Sequence, residues 1–377
     1  MKNTSTVETK AETKQSVFCY ILNHGPVTKQ DIYIHLGISL PTIKLTLEYL
    51  LKQELIREYG KVKNTGGRNA VTYSVAENSR FTIGVFLSGH HISAVCVNLM
   101  GEVVASVRTR ILLDVHEDSY LRKIGQMVEQ VREEAKVPAE QLIGVGISVP
   151  SMVSRDGERI IFGMTHDFSG ITRSVLSTYV PYPTRLYHDS QSAGFAEIWR
   201  NPTLKSAVYL NLNETVGACV ILDGEIYYGR NGYAGEFGHI KIDPKHGKKC
   251  YCGKIGCLDT VCNTAILDAC GGGSLEAFFA KVDEKDAEAL ACWNEYLDSL
   301  ALGIHNLRMM FDCPFIVGGY LGSHIGNHIN DLREKIDEMA IFTPYSRDYV
   351  LHCRYDREVN CAGAAIQVIS EFMNNLE

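Results

Sequence analysis

Three cysteines fall within eight residues, in the run Cys250-Tyr251-Cys252-Gly253-Lys254-Ile255-Gly256-Cys257. No other stretch restricts the possible fold as strongly. Its two glycines allow the tight backbone turns by which several thiolates close on one ion. A histidine at position 239, in Ala234-Gly235-Glu236-Phe237-Gly238-His239, is near enough in the chain to supply a fourth ligand. Three soft thiolates and one imidazole favour Zn²⁺ in a closed tetrahedral site. His239, Cys250, Cys252 and Cys257 are therefore the expected ligands of one structural ion per chain. The full donor set leaves no open position for catalysis by the metal. Cys96, Cys219 and Cys313 lie instead in apolar runs, where a thiol behaves as a small hydrophobe.

The chain has 377 residues, enough for two or three domains that each bury a core. No apolar run reaches the ~18 residues a membrane span needs, and the polar start MKNTSTVETKAETKQ has no signal-peptide core. Twelve cysteines without a secretion signal suggest reduced thiols and a cytoplasmic location. Charge is unevenly placed. Residues 1–80 carry eleven Lys and Arg against seven Asp and Glu, a balance of +4, in a chain of net charge −7. A basic head on an acidic body suits a nucleic-acid-binding module joined to a larger domain.

The head supports that division. Residues 1–13 are polar and read as a disordered tail. From Lys14, Val17, Tyr20, Ile21 and Leu22 are spaced for one buried helical face, ended by Gly25-Pro26. Thr28 is the next N-cap, with Asp31 three residues on as a variant capping box. Gly37-Ile38 makes a tight turn, Ser39 caps the following helix and Pro41 sits in its first turn. Two short helices joined by such a turn form a helix-turn-helix, whose second helix can lie in the major groove. Ser39, Leu40, Thr42 and Lys44, with Thr46 further on, are the candidate DNA contacts. Two strand-like runs, 55–59 and 71–75, then flank a basic wing tip. Within that tip, Arg68 is suited to a minor groove.

Beyond residue 80, mixed strands followed by crossover helices occur twice, which indicates an α/β body of two similar lobes. Ligands in such folds bind between lobes or at strand carboxyl ends. Glu236 and Asp259 flank the cysteine loop, and Asp189 follows the strand-like run 184–188. Carboxylates so placed could hold several hydroxyls, as a sugar requires.

In this order, the pieces resemble the ROK family of sugar-responsive repressors and sugar kinases, from about Lys14 to Met373. The AGEFGH…CxCGxxGCLD block at 234–259 carries the resemblance most specifically, with Asp259 where the family usually has Glu. The resemblance implies a winged helix-turn-helix head over 14–78. It also implies a two-lobed, actin-like (ribonuclease H-like) sugar-binding body over 79–377, with a zinc loop at 236–259. Asp189 matches the kinases' catalytic base, Glu236 and His239 match sugar contacts, and Asp259 matches the acidic contact after the last cysteine. His188, a further candidate sugar contact, stands where the kinases usually carry a sugar-binding Asn.

The family's phosphate loops are eroded here. Asp-x-Gly-Gly-Thr has become Phe86-Leu87-Ser88-Gly89-His90, and Gly-Thr-Gly-Val-Gly has become Asn213-Glu214-Thr215-Val216-Gly217. A phosphate site needs close-approaching glycine N–H groups rather than a carboxylate. A non-enzymatic repressor is therefore expected in preference to an ATP-dependent sugar kinase. It would act as a homodimer or dimer of dimers on a pseudo-palindromic double-stranded operator of sugar-metabolism genes, and a sugar or sugar phosphate would release it.

Overall fold

The computed structural model describes residues 6–62, 69–163, 168–199, 201, 203–342, 345–355 and 358–376. The head opens with α1 (Thr6–His24). Residues 6–13, expected as tail, are therefore helical. Their Glu, Lys and Ala have high helix propensity, and the packed turns that follow supply the nucleus. β1 (Val27–Thr28) leads into α2 (Lys29–Leu36) through a reciprocal capping box. Thr28 Oγ1 accepts from the Asp31 N–H at 3.2 Å, and Asp31 Oδ2 accepts from the Thr28 N–H at 2.8 Å.

Gly37 ends α2 at φ 65°, and Ser39 caps α3 (Leu40–Lys52). β2 (Ile56–Val62) and β3 (Ala70–Val75) pair antiparallel, with β1 on the other edge of β3. The head is thus a winged helix-turn-helix around Phe18, Ile21, Ile32, Ile43, Leu47 and Leu50. Arg68 and its neighbours at the wing tip lie outside the described residues.

The first lobe runs β4 (Phe81–Leu87), β5 (His91–Asn98), β6 (Val103–Arg110), α4 (Asp118–Glu134) and β7 (Leu142–Val149). It continues with β8 (Met152–Val153), β9 (Ile160–Phe162), α5 (Arg173–Leu176) and β10 (Thr184–His188). The sheet order is β10-β7-β4-β5-β6. α6 (Asp189–Ile198) then connects to the second lobe, which begins with β11 (Ala207–Leu212), β12 (Val216–Leu222) and β13 (Glu225–Ile226). There follow α7 (Asp259–Cys262), α8 (Thr264–Gly271), α9 (Leu275–Asp283) and α10 (Ala287–Phe311). β14 (Phe315–Gly318), α11 (Gly322–Glu338), α12 (Ser346–Tyr349), β15 (Val350–His352) and α13 (Val359–Asn374) complete the chain.

The second sheet reads β13-β12-β11-β14-β15. Each lobe therefore has an antiparallel meander of three strands, extended by two parallel strands beside the first, which is the duplicated actin-like plan. Strands β4, β7 and β11 are apolar along almost their whole length because both faces are covered.

α13 returns from the second lobe to the first, crossing β4, β5 and β7 and lying beside α6. Gly84 and Gly146 permit the approach, since a Cβ at either would meet the α13 carbonyls of Cys361 or Ala364. The far end of α13 reaches the head, where Lys14 Nζ donates to the Leu376 carbonyl at 3.4 Å. Head and first lobe share one apolar cluster that includes α1 residues, Met373 and Leu376. Among the described residues, no helix is long and apolar enough to cross a membrane.

Two thiols depart from the reduced state expected throughout. α8 and α10 pack side by side and bring Cys270 and Cys292 together as a disulfide, with Cα atoms 6.8 Å apart. Cys96, Cys219 and Cys313 are buried as expected, and burial pushes the Cys96 thiol up to about 12.

Glu197, on α6, is 1% exposed, and burial pushes its carboxyl up from 4.5 to about 7. The folded state therefore binds this proton more tightly than the unfolded chain. Its stabilising contribution is complete below about pH 4.5 and fades as the pH rises through 7, by about 3 kcal/mol in all. In Glu197→Gln, whose amide oxygen can still accept from the Arg354 N–H, the fall in stability between pH 5 and pH 8 should shrink accordingly. Urea midpoints across that range would expose the opposite result, identical profiles for both proteins.

Candidate functional site

The cysteine loop forms as its residues require. Gly253 (φ 80°) and Gly256 (φ 74°) make its two sharp turns, and a Cβ at Gly256 would strike the Asp243 carbonyl. The ligand atoms of His239, Cys250, Cys252 and Cys257 all lie within 4.8 Å of one another. Cys252 Sγ is 3.7 Å from Cys257 Sγ, and Cys250 Sγ is 3.8 Å from His239 Nδ1. Metal–sulfur bonds of ~2.3 Å at tetrahedral angles give edges of about 3.8 Å, so these four residues could hold a metal ion. Around them, Tyr251 Oη lies 3.3 Å from His239 Nε2, where it can orient the ring. Lys241 Nζ sits 2.8 Å from Cys257 Sγ. Three thiolates and a neutral imidazole on a divalent ion would leave one negative charge, which that ammonium offsets.

Between the lobes, beside this loop, lies a polar cleft. Of the predicted hydroxyl-binding residues, His188, Asp189, Glu236 and His239 line it together. Asp189 opens α6 and is buried. Its Oδ1 accepts from the Ser190 N–H at 2.6 Å and its Oδ2 from Asn211 Nδ2 at 3.0 Å. Burial raises its carboxyl above the ordinary range, partly opposed by His188, whose Nε2 is 3.4 Å away. Glu236 is aimed by Gly235 (φ 96°), which passes so close to the Ala218 carbonyl that no Cβ fits.

Asp259 is not among the lining residues. One methylene shorter than Glu, it stays buried behind the cleft, where Oδ1 accepts from the Val216 N–H at 2.6 Å. Burial raises this carboxyl as well. Ser151, Phe162 and Tyr251 also line the cleft, and among the described residues the buried Ser151 hydroxyl has no partner. Sequence reasoning missed all three; only Tyr251 carried a signal, lying between two ligands. Two carboxylates, two imidazoles and a serine hydroxyl converging on one small space can bind a polyhydroxylated molecule by several directional bonds at once.

The loops that would hold phosphates are joined to each other. His90 Nδ1 is 3.1 Å from Glu214 Oε1, across the lobes. Phe86 faces Tyr320 with ring centroids 6.3 Å apart. Between them and Asp189 remains a cavity of only about 10 Å³. Gly318 and Gly319 serve strand-to-helix packing. A Cβ at Gly318 would meet the Tyr209 ring, and the Gly319 N–H donates to Tyr209 Oη at 3.1 Å.

On the head, Ser39, Leu40, Thr42 and Lys44 are exposed along the start of α3. Thr46 is not. It is 6% exposed, because it lies one turn from both Ile43 and Leu50 on the inward face. Leu45, 68% exposed, takes the outward position at that level. An apolar outward side chain suits the thymine methyl rather than a hydrogen-bonding base edge.

The ROK family pattern matches residues 82–371. The xylose repressor of Caldicellulosiruptor bescii is 21% identical over 388 residues, covering 97% of each chain. Among solved structures, a ROK family transcriptional regulator homologous to the MLC protein of E. coli superposes with a TM-score of 0.75. That match has 20% identity and covers 97% of this chain and 98% of the other. A ROK family glucokinase from Streptomyces griseus, solved with glucose and AMPPNP, gives a TM-score of 0.65. Its identity is 21%, over 76% of this chain and 98% of the other.

Proposed function

Since the chain belongs to the ROK family, we propose that it is a DNA-binding transcriptional repressor of sugar-metabolism genes, released by a sugar or sugar phosphate in the interlobe cleft. The observation that carries this reading is the contrast between the two halves of that cleft. Its carboxylate end keeps converging polar groups, whereas at its phosphate end Phe86 packs on Tyr320 next to Asp189 and a carboxylate, Glu214, pairs with His90. The carboxylate of Glu214 at the phosphate end disfavours the phosphates of a nucleotide, which argues against kinase activity. The repressor name of the Caldicellulosiruptor bescii relative, which spans the head as well as the body, supports the same conclusion.

The cysteine site is read as binding Zn²⁺, the ion best suited to three thiolates and an imidazole. When bound it supplies only shape, holding Glu236 and Tyr251 at the cleft. The protein acts as a homodimer whose two heads meet the halves of a pseudo-palindrome. Asp189, Glu236, His188 and His239 take the sugar hydroxyls, and Ser39, Leu40, Thr42 and Lys44 face DNA. Free space at the carboxylate end is about 50 Å³, far below the few hundred Å³ of an ordinary ligand pocket. A sugar therefore binds only by parting the walls. α6, headed by Asp189, passes that motion to α13, since Asn360 Nδ2 of α13 donates to the Asp189 carbonyl at 3.0 Å. α13 in turn meets α1 of the head. Repression is relieved to the extent that the sugar prefers the parted state.

The test is capture of the organism's fragmented genomic DNA on purified protein at ~150 mM salt, where nonspecific phosphate contacts are weak. Each capture is run with and without a panel of sugars and sugar phosphates. A few discrete loci, lost with one sugar, are expected. No specific DNA under any condition, together with sugar-dependent ATP consumption, would overturn the reading. On a captured operator, Lys44→Ala should weaken binding evenly across sequences and lower the salt slope by about one.

A further inference from the structure

On the other side of His188 and Met152 from the carboxylate cleft lies a second cavity, of about 270 Å³. Both lobes contribute to it: β8, β10 and the end of α13 from the first, and the Tyr228–Gly232 loop from the second. Among the described residues, three guanidinium groups border it, those of Arg155, Arg185 and Arg230, against the one carboxylate of Glu371. Arg185 is already paired, its Nε 3.1 Å from Glu371 Oε1, which also accepts from Tyr187 Oη at 3.0 Å. Arg155 lies over the Tyr228 ring, 5.8 Å from its centroid. Among the described residues, neither Arg155 nor Arg230 has an acidic partner.

Two guanidinium charges without an acidic partner among the described residues concentrate positive potential on this concave wall, although the chain as a whole is acidic. The arginine fork matches the paired oxygens of a phosphate or carboxylate. We propose that this cavity receives the anionic group of the effector, so that the ligand is a phosphorylated or carboxylated sugar rather than a neutral one. The proposal rests on the sugar reading of the neighbouring cleft only for where the uncharged part sits. His188, shared by both spaces, stands between the ring and the anion. The Tyr228–Gly232 loop turns at Gly229 (φ 70°) and Gly232 (φ 81°) and leads directly into Glu236. An anion drawing Arg230 toward β10 thus moves the loop that carries a sugar contact. It also competes with Glu371 for Arg185, and Glu371 belongs to the helix that reaches the head.

Inorganic phosphate probes the cavity without any sugar. With the full chain, saturable broadening of the phosphate ³¹P resonance is expected, unchanged in Glu236→Gln and abolished in the double variant R155Q/R230Q. Both replaced arginines are exposed, so folding should survive, and a wild-type melting curve would establish that it has. No broadening with the wild type, or equal broadening with a folded double variant, overturns the proposal. Calorimetry with glucose, glucose 6-phosphate and glucuronate then separates the two sources of charge. The preferred anion should bind about ten- to a hundredfold more tightly than the neutral sugar, and R155Q/R230Q should remove that advantage. The sugar reading fails separately, if binding of every sugar is indifferent to Glu236→Gln while phosphate is still held.

Discussion

Replacing Cys250 and Cys252 together by serine is expected to abolish metal binding and to disable the response to sugar, with the second lobe markedly destabilised. Structural Zn²⁺ sites in small peptides contribute roughly 10–16 kcal/mol at neutral pH, which is an upper limit for a loop embedded in a larger lobe. Even a fraction of that is large beside the ~5–15 kcal/mol that holds a typical domain folded. The damage should be greatest at the cleft, because Glu236 and His239 precede the loop and Asp259 follows it, tethering Val216 from behind. Metal content, the melting curve and sugar-dependent release of DNA would be measured on the same preparation. Wild-type melting and a normal sugar response in a metal-free variant would remove any structural role for the ion.

The second large effect is expected from Glu236→Gln and Asp189→Asn. A hydrogen bond to a charged group contributes about 1.5–3 kcal/mol, so each variant should need about ten- to a hundredfold more sugar to release its operator. Affinity for DNA without sugar should be unchanged, since neither residue touches the head. Glu236→Gln is the cleaner of the two. In Asp189→Asn the new amide would confront Asn211 Nδ2, which now donates to Oδ2. The sign of the pH effect follows from the direction of the Asp189 shift. Its carboxyl is raised by burial, so the charged acceptor exists above that raised value and is lost as the pH falls through it. Sugar response should therefore fade on acidification, at a higher pH than an ordinary aspartate would dictate, and Asp189→Asn should flatten the dependence. Titrations of operator release at several pH values would refute this if wild type and variant fell in parallel.

Much of the head could be read residue by residue. Thr28, Asp31, Gly37, Ser39 and Pro41 act on backbone groups within four residues of themselves, and the helix-turn-helix they bound lies where their spacing puts it. The start of α1 is less legible. A polar stretch with good helix propensity reads as tail until the helix behind it is packed. Thr46 departs from its expected exposure for a related reason. Its polarity suggests the outside, but the positions of Ile43, Leu47 and Leu50 turn it inward, and Leu45 is exposed instead.

At the cleft, the candidate metal ligands and three acids are visible as residue types, yet their partnerships are not. Asp259 looks like a ligand-facing acid and serves the Val216 backbone. His90 and Glu214 are 124 residues apart and look like separate losses in two phosphate loops, whereas in space they pair with each other. Arg155, Arg185 and Arg230 are unremarkable surface cations in the sequence, and only the approach of the two lobes makes them walls of one cavity.

By itself the sequence determined the donor chemistry of the metal site, the caps and turns of the head, and the loss of the phosphate loops. Each of these depends on the identity of residues close together in the chain. Which carboxylates face the cleft, which helix joins it to the head and where positive charge collects were decided by tertiary structure. Those properties depend on burial and on contacts between segments far apart in sequence, which come together only when the two sheets and α13 pack.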